Sequence, residues 1–311
     1  MKSITTTQTG AIRAAGRLHE ENFSDWIAFI DGAPKTVQTY TRAIRQFLQY
    51  LRDTDTTTPT RETVIEYRDQ LGERCKPTTV NNYLMAIKQF FKWAEIRGIY
   101  PNVAQHVKGA KLDKGFKKDY LTPGQIKEVL GRIRQVDEIG KRDYALLALM
   151  VTTGLRTVEV ARANIEDIRN VADFTALFIQ GKGHREKGEY VKLAAPVEAV
   201  IRDYLKERKE TAGTAPLFAS TANRNTGERL TTRSISRIVK ERFTAAGLNS
   251  TRLTAHSLRH TAATLNLLNG GTTEETQQLL RHSNINTTLI YAHALERAKN
   301  ESEDRIAGAI F

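Results

Sequence analysis

Apolar side chains recur at helical spacing in the first part of the chain. The segment KTVQTYTRAIRQFLQYL has an apolar residue at every third or fourth position, which is the spacing of one helix face. The residues of this face are Tyr40, Ile44, Phe47 and Leu51. A similar face runs through TTVNNYLMAIKQFFKWAEIRG, where Gly98 and then Pro101 indicate the end of the helix. With RETVIEYRDQL between them, these segments predict a small all-helical bundle over residues 20–105.

The second half of the chain has a mixed pattern. Thr122 can cap a helix that starts at Pro123, and Gln125 can complete a capping box. The nearly all-apolar segment RDYALLALMVTTG predicts a buried helix. Two β-prone runs, FTALFIQ and EYVKLAA, flank the Gly-rich turn GKGHREKG and predict a hairpin. Further helices are predicted at 196–210, 232–247, 256–269, 273–281 and 286–299.

These elements predict a fold that is mainly α-helical with a small β-sheet or hairpin. We expect a flexible N-terminal lead, a helical domain, a basic linker, and a mixed α+β domain with a C-terminal tail. Their expected bounds are 1–19, 20–105, 106–119 and 120–311. The length of 311 residues agrees with two domains that each bury a core.

The net charge narrows the range of partners. Lysine and arginine total 47 against 35 acidic residues, which gives a formal charge of +12. A chain this basic usually has a polyanionic partner, so nucleic acid is favoured over a charge that only aids solubility. The lysine-rich linker is either a solvated tether or a segment that touches phosphates.

Cysteine content and hydropathy bear on the compartment. The single Cys75 excludes an intramolecular disulfide and a cysteine metal cluster. No run of about 20 apolar residues appears, and the N-terminus lacks the apolar core of a secretory signal. We therefore expect a cytoplasmic protein with no membrane partner.

Some polar residues of the second domain stand in unusual places. Arg156 follows the predicted buried helix, and Glu159 lies one helical turn further along. The two form either a structural ion pair or part of a functional site, because a charge beside an apolar segment is costly unless paired or used. Lys182 lies between two glycines of the hairpin turn, where the backbone can approach a ligand closely.

The C-terminal helices carry a second polar group. His256 and Arg259 share one helix face in HSLRH, which favours an anion site over two separate surface residues. His282 and Tyr291 follow on either side of a polar turn. A lone helical tyrosine usually packs in a core. Because these cations occur in the same domain, we expect the Tyr291 side chain to be presented to a substrate rather than packed in the core. The polar residues interpreted as background are His184, Lys192 and His260.

This set of side chains suits one kind of reaction. Guanidiniums can hold the non-bridging oxygens of a phosphodiester and stabilise the charge that develops in phosphoryl transfer. A tyrosine hydroxyl is a competent nucleophile once a base assists it, and a lysine or histidine can protonate the leaving 5′-oxygen. No carboxylate cluster for Mg²⁺ and no GxxxxGK[ST] loop accompanies them. The set predicts phosphodiester transesterification through phosphotyrosine, with no cofactor, metal or ATP.

Four motifs occur in a fixed order, namely TGLRTVEV, GKG in a hairpin, HSLRH and LLRHSNINTTLIYAH. With these motifs the chain resembles the tyrosine recombinases, or phage integrase family, over roughly residues 20–300. The resemblance implies a helical core-binding domain and a catalytic domain of the DNA breaking–rejoining type, in an Xer-like two-domain architecture. It also implies a tetramer on double-stranded DNA that carries an inverted-repeat core site.

The resemblance gives a role to each matching residue. These residues are Arg156, Lys182, His256, Arg259, His282 and Tyr291, with Glu159 in support. The two arginines would clamp the scissile phosphate, and the lysine would be the general acid for the 5′-hydroxyl. The first histidine would assist proton transfer at the nucleophile, and the second would bind a phosphate oxygen. The tyrosine would attack and become the 3′-phosphotyrosine, while the glutamate orients the site.

Two departures from the family pattern concern the site. Arg281 stands where many members have glycine before the histidine, so it either touches DNA or changes the turn. The long turn GKGHREKGEY leaves Lys182 and Lys187 as alternatives for the general acid, and the flanking glycines favour Lys182. The resemblance implies that the apolar tail IAGAIF docks into a neighbouring protomer, and the alternative is a local packing strand or a disordered end.

The expected function is site-specific DNA recombination, in the integration and excision of a mobile element or, alternatively, in Xer-like resolution of chromosome or plasmid dimers. Other hypotheses are a non-catalytic DNA-binding protein of the same fold and a type IB topoisomerase. In the first domain, residues off the apolar faces of the helices 35–51 and 78–97 are predicted DNA contacts or parts of a solvated face. These residues are Arg42, Arg45, Asn82 and Lys88.

Overall fold

The computed structural model describes residues 21–112, 119–181, 186–210, 212–298 and 300–311. Within these ranges, the residues up to Leu112 form one compact unit and those from Asp119 onward form a second. Both units are built mainly from helices, and the second also holds a small antiparallel sheet. The predicted fold class is confirmed.

The first unit is a bundle of long helices. Their bounds are α1 (Glu21–Phe29), α2 (Pro34–Asp53), α3 (Arg61–Arg74) and α4 (Pro77–Ile96). Proline starts both α2 and α4, where its fixed φ suits the first turn. Thr60 caps α3 by accepting a hydrogen bond from the Thr63 N–H. In the core Phe47 packs edge-on against Tyr67 and Phe91, with ring centroids 5.1 and 6.0 Å apart.

The second unit places one apolar helix at its centre. Its helices are α5 (Pro123–Gly131), α6 (Glu138–Thr153), α7 (Thr157–Arg162), α8 (Ala195–Arg208), α9 (Thr232–Ala245), α10 (Ala255–Leu268), α11 (Thr273–Leu280), α12 (Asn286–Ala298) and α13 (Ser302–Ile310). Short 3₁₀ turns lie at Ile165–Asp167 and Asn223–Asn225. As predicted, α6 is buried, and it packs against α8 and α10. The capping box at α5 is also confirmed, since Thr122 and Gln125 exchange hydrogen bonds of 2.9 and 3.2 Å.

The sheet has the strand order β1 (Ile168–Val171), β2 (Phe174–Ile179), β3 (Glu189–Lys192), and all its pairs are antiparallel. Leu177 of the central strand pairs with Ile168 on one side and Val191 on the other. The predicted hairpin of β2 and β3 is confirmed. Strand β1 was not predicted, because its sequence IRNV is too short to show a period and its pairing with β2 decides its conformation.

A glycine at the end of α6 positions the elements around the site. Gly154 has φ of 62°, in the left-handed region that glycine adopts without strain. A Cβ at this position would lie 2.6 Å from the buried side chain of Leu280. The missing side chain therefore lets the end of α11 pack directly on the turn between α6 and α7.

Candidate active site

The start of α7 fixes the first arginine. Arg156 is the N-cap residue of this helix, and the Glu159 carboxylate folds back onto it. One carboxylate oxygen accepts the Arg156 backbone N–H at 2.7 Å, and the other accepts its Nη1 at 2.9 Å. Glu159 is fully buried, whereas the Arg156 side chain is 32% exposed. The structure thus contains the ion pair anticipated from their spacing, with the cation turned toward solvent.

Arg281 is a second cation on the same carboxylate. Its Nη2 lies 2.9 Å from Glu159 Oε2, and its side chain is only 10% exposed. Burial alone would raise the pKa of Glu159, but the charge of Arg281 and the hydrogen bonds and charge of Arg156 outweigh it, and the pKa is lowered. The carboxylate is therefore ionised at neutral pH and offsets one of the two positive charges.

Arg259 holds the third guanidinium, on α10. It is 1% exposed. Its Nη1 donates to the carbonyl of Gly154 at 2.5 Å, and its Nη2 donates to the carbonyl of Leu280. Burial lowers the pKa of Arg259 to about 10, with the charges of Arg156 and Arg281 acting in the same direction. The group stays charged at neutral pH and is locked between the ends of α6 and α11.

His282 follows Arg281 and faces the same cations. Its Nδ1 lies 2.9 Å from Oγ1 of the buried Thr288. Burial, and then the charges of Arg259, Arg156 and Arg281, lower the pKa of His282 to about 4. The imidazole is therefore neutral at pH 7.

Tyr291 does not lie on the surface. It is 4% exposed and packs against Ala263 and Leu280. Burial raises the pKa of its hydroxyl to about 12, although the charge of Arg259 opposes the shift. The expectation that Tyr291 is presented rather than packed is wrong for this structure, because apolar residues of α10 and α11 enclose the ring.

His260, interpreted from the sequence as background, contacts the tyrosine directly. Its Nδ1 is hydrogen-bonded to the Tyr291 hydroxyl, and its ring is 6% exposed. The exposed His256 lies one turn earlier on α10, and the two imidazoles meet edge-on with centroids 4.6 Å apart. The four-residue spacing of the histidines in HSLRH was the sequence signal that places both on one helix face.

Of the two candidate general acids, Lys182 and Lys187, the structure describes only Lys187. Lys182 and the neighbouring His184 lie outside the described residues. Lys187 forms an ion pair with the buried Asp167. Gly181, which directly precedes Lys182 in the chain, lines an open cleft. The other residues that line this cleft are Arg156, Glu189, Gln277, Gln278, Arg281, His282 and Ser283.

The predicted DNA contacts of the first unit lie on two helices. Arg42 and Arg45 are exposed on α2, and the Arg45 guanidinium stacks 5.4 Å from the centroid of the Phe23 ring. On α4, Asn82 is exposed, whereas Lys88 is half-buried. Lys88 lines a shallow groove with Met85, Gln89, Lys92, Glu95, Asn102 and Gln105.

Known proteins with similar sequences and structures identify the family. Residues 119–297 match the phage integrase family, and residues 21–99 match the phage integrase N-terminal SAM-like domain. A tyrosine recombinase of Synechocystis sp. is 31% identical over 230 residues, 73% of this chain and 72% of the relative. The tyrosine recombinase XerD of Oceanobacillus iheyensis is 28% identical over 269 residues, 83% of this chain and 87% of the relative.

A solved structure shares the fold. The site-specific recombinase XerH, in a post-cleavage complex with a palindromic difH substrate, matches with a TM-score of 0.71. The match has 22% sequence identity and covers 86% of this chain and 80% of that chain. Such a likeness shows the two-domain recombinase fold.

A helical unit followed by a mixed α+β unit that holds this candidate site is the architecture of a DNA breaking–rejoining protein. The chain belongs to the tyrosine recombinase, or phage integrase, family and is a DNA-binding, site-specific DNA recombinase of the tyrosine type, which confirms the resemblance. Within the described residues, no helix is long and apolar enough to cross a membrane. In the same ranges no three His, Cys, Asp or Glu side chains gather in a way that could hold a metal ion.

Proposed function

We propose that Tyr291 attacks a DNA phosphodiester, forms a 3′-phosphotyrosine and releases a 5′-hydroxyl, without metal or ATP. The observation that carries this proposal is the convergence of charged groups on one site. Arg156 and Arg281 share the Glu159 carboxylate, and Arg259 donates to the carbonyl of Leu280, the residue before Arg281. Tyr291 packs against the same Leu280. A nucleophile beside fixed cations is what phosphoryl transfer requires.

The two family arginines would divide the binding of the phosphate. Arg156 gives one Nη to Glu159 and lines the open cleft, so its remaining N–H groups can bind non-bridging oxygens. Arg259 is held by two carbonyls and contributes a charge of fixed position in a site of low dielectric constant. Glu159, which forms an ion pair with Arg156, would be the acidic residue that orients the site.

The remaining residues would handle protons and phosphate oxygens. A Thr288 hydroxyl that donates to Nδ1 of His282 leaves the ring proton on Nε2, and this N–H can donate a hydrogen bond to a phosphate oxygen. Lys182 would protonate the 5′-oxygen, since its alternative Lys187 is engaged by Asp167. His256, which is exposed on α10, would assist proton transfer at the nucleophile.

Both units would bind DNA. We assign core binding to residues 20–105, the linker to 106–119 and catalysis to 120–311, and the matches at 21–99 and 119–297 support this division. The net charge of +12 supports a duplex partner, with Arg42, Arg45, Asn82 and Lys88 among the contacts. The DNA partner would be an inverted-repeat core site, bound by a tetramer in the cytoplasm. Residues 1–19 would form a flexible lead before the core-binding unit.

The proposal is tested by covalent capture on nicked suicide duplexes. A library with randomised arms is incubated with wild type and with Tyr291→Phe, and protein-linked DNA is isolated after denaturation. We expect linked DNA with wild type only, because phenylalanine lacks the attacking oxygen. Equal capture by Tyr291→Phe, with equal DNA binding, would refute the role of Tyr291.

The captured sequences also separate two biological roles. We propose mobile-element integration and excision, as expected from the sequence. Resolution of chromosome or plasmid dimers is the second candidate, favoured by the likeness to recombinases named XerD and XerH. Capture sites at both ends of a mobile element would support integration. A single inverted-repeat site on a circular replicon would support dimer resolution.

A further inference from the structure

His260 occupies the position that a proton acceptor for the nucleophile requires. Its Nδ1 and the Tyr291 oxygen share a hydrogen bond, and the two rings lie with their centroids 5.3 Å apart. Both side chains are buried, so bulk water has little access to the hydroxyl. The proton that leaves this oxygen therefore has an imidazole nitrogen within hydrogen-bond distance as a base.

The need for such a base follows from the environment of the tyrosine. Because burial raises the pKa of Tyr291 to about 12, the hydroxyl is almost entirely protonated at neutral pH. A phenol is a poor nucleophile until its proton is removed in the transition state. Arg259 lies one residue before His260 on the same helix, so α10 carries both a phosphate-site charge and a base beside the nucleophile.

We propose that His260 is a catalytic residue that accepts the proton of Tyr291 as the tyrosine attacks DNA. This inference rests on the proposed function of Tyr291. In cleavage, the O–H proton passes to Nδ1 of His260, the bond from the tyrosine oxygen to phosphorus forms, and the bond from phosphorus to the 5′-oxygen breaks. The 5′-oxygen takes its proton from the general acid. Rejoining reverses each transfer, so both groups return to their starting states.

The edge-on contact with His256 has a place in this arrangement. The ring of His256 packs against His260 on the side of α10 that bears both residues, a contact that would restrain the plane of the inner imidazole. A fixed plane keeps Nδ1 aimed at the hydroxyl. His256 would thus assist the nucleophile by positioning His260, while remaining exposed itself.

The test uses single-turnover cleavage of a suicide duplex by the full chain, with His260→Asn as the main variant. Asparagine can keep a hydrogen bond to the hydroxyl but cannot accept its proton at neutral pH. We expect cleavage to slow by about 10²- to 10³-fold with DNA affinity unchanged. His260→Ala should show the same loss, and added imidazole should restore part of its rate through the space left by the ring.

A second substrate separates the two ends of the reaction. A duplex with sulfur in place of the bridging 5′-oxygen has a leaving group that needs no general acid. We expect the defect of His260→Asn to persist on this substrate, because the missing step is at the tyrosine. Cleavage by His260→Asn within about threefold of the wild-type rate on the oxygen substrate would overturn the inference. Recovery of the variant on the sulfur substrate would also overturn it, since His260 would then act at the leaving group.

The controls keep this inference apart from the function on which it rests. Linked DNA with Tyr291→Phe would remove the nucleophile assignment itself. Wild-type capture, no capture with Tyr291→Phe and a full rate with His260→Asn would remove only the role of His260. If the asparagine variant does not fold, as judged by its melting transition, imidazole rescue of His260→Ala decides. Failure of imidazole to raise the rate of a folded His260→Ala that binds DNA would count against a proton acceptor.

Discussion

At the scale of single residues, Glu159 holds two arginines of the candidate site. One carboxylate receives the backbone N–H and Nη1 of Arg156 and the Nη2 of Arg281. The carboxylate itself is fully buried, whereas the Arg156 side chain is 32% exposed. The carboxylate therefore sets the positions of two guanidiniums at once, and its loss would leave both without their shared counter-ion.

We predict that Glu159→Gln lowers the free energy of unfolding by about 3 kcal/mol at neutral pH, as breaking a buried ion pair typically does. Urea denaturation measures the change. The matched control is Glu241→Gln, which removes an exposed carboxylate from an arginine one turn away. The control should cost at most about 0.5 kcal/mol. Equal losses for the two variants would contradict the central role of Glu159.

The pH dependence of this difference has a definite sign. Because the pKa of Glu159 is lowered from its ordinary value of 4.5, the charged form is favoured in the folded state. Its contribution is fully present above that value and is lost as the pH falls through the lower folded pKa. The gap between wild type and Glu159→Gln should therefore narrow in urea titrations below about pH 4.5. A gap that widens on acidification would contradict this reading.

At the scale of elements, the end of α11 combines a strained backbone with a useful side chain. Arg281 has φ of 52°, a left-handed conformation that costs a residue with a Cβ about 1 to 2 kcal/mol. Lys209 ends α8 in the same way, with φ of 58°, but it is exposed. The two positions share a conformation and differ in the ion pair with Glu159.

We predict opposite effects when these two residues are replaced by glycine. Lys209→Gly should raise the free energy of unfolding by about 0.5 to 1 kcal/mol, the relief of strain less the entropic cost of glycine. Arg281→Gly should lower it by about 2 to 4 kcal/mol, because it also breaks the buried pair with Glu159. Denaturant unfolding of both variants measures the two changes in the free energy of unfolding. Stabilisation by Arg281→Gly would show that the backbone strain at this position outweighs the ion pair with Glu159.

At the scale of the whole molecule, the charge of +12 should govern DNA affinity through counter-ion release. Lys88 is half-buried on α4 and lines a groove with Lys92 and Met85. A partly buried lysine can pack its aliphatic stem on the protein surface and keep its ammonium group in water, where a phosphate could reach it. We therefore choose Lys88 to test the predicted DNA contacts.

We predict that Lys88→Ala weakens duplex binding and reduces the slope of log affinity against log salt by about one unit. Fluorescence anisotropy across a salt series, on the captured duplex, gives both quantities. Lys206→Ala, at an exposed lysine on α8 outside the predicted contacts, is the control and should leave the slope unchanged. An unchanged slope for Lys88→Ala would remove this lysine from the interface.

The sequence by itself determined the features that depend on neighbours along the chain. The apolar period predicted the helices, the Thr122 and Gln125 pair predicted a capped start, and two β-prone runs predicted a hairpin. The Arg156 and Glu159 spacing placed that ion pair, and the order of motifs identified the family. Apart from the order of motifs, each of these signals is local, since helical and strand geometry bring fixed neighbours together whatever the rest of the fold does.

Only the tertiary structure decided which distant groups meet. Arg281 and Glu159 are 122 residues apart, and His260 and Tyr291 are 31 apart, yet each pair is in direct contact. The burial of Tyr291, which our expectation missed, comes from the packing of α12 against α10 and α11. Packing of whole elements decides such contacts, because a residue's burial depends on what lies across from it, and no spacing along the chain encodes that.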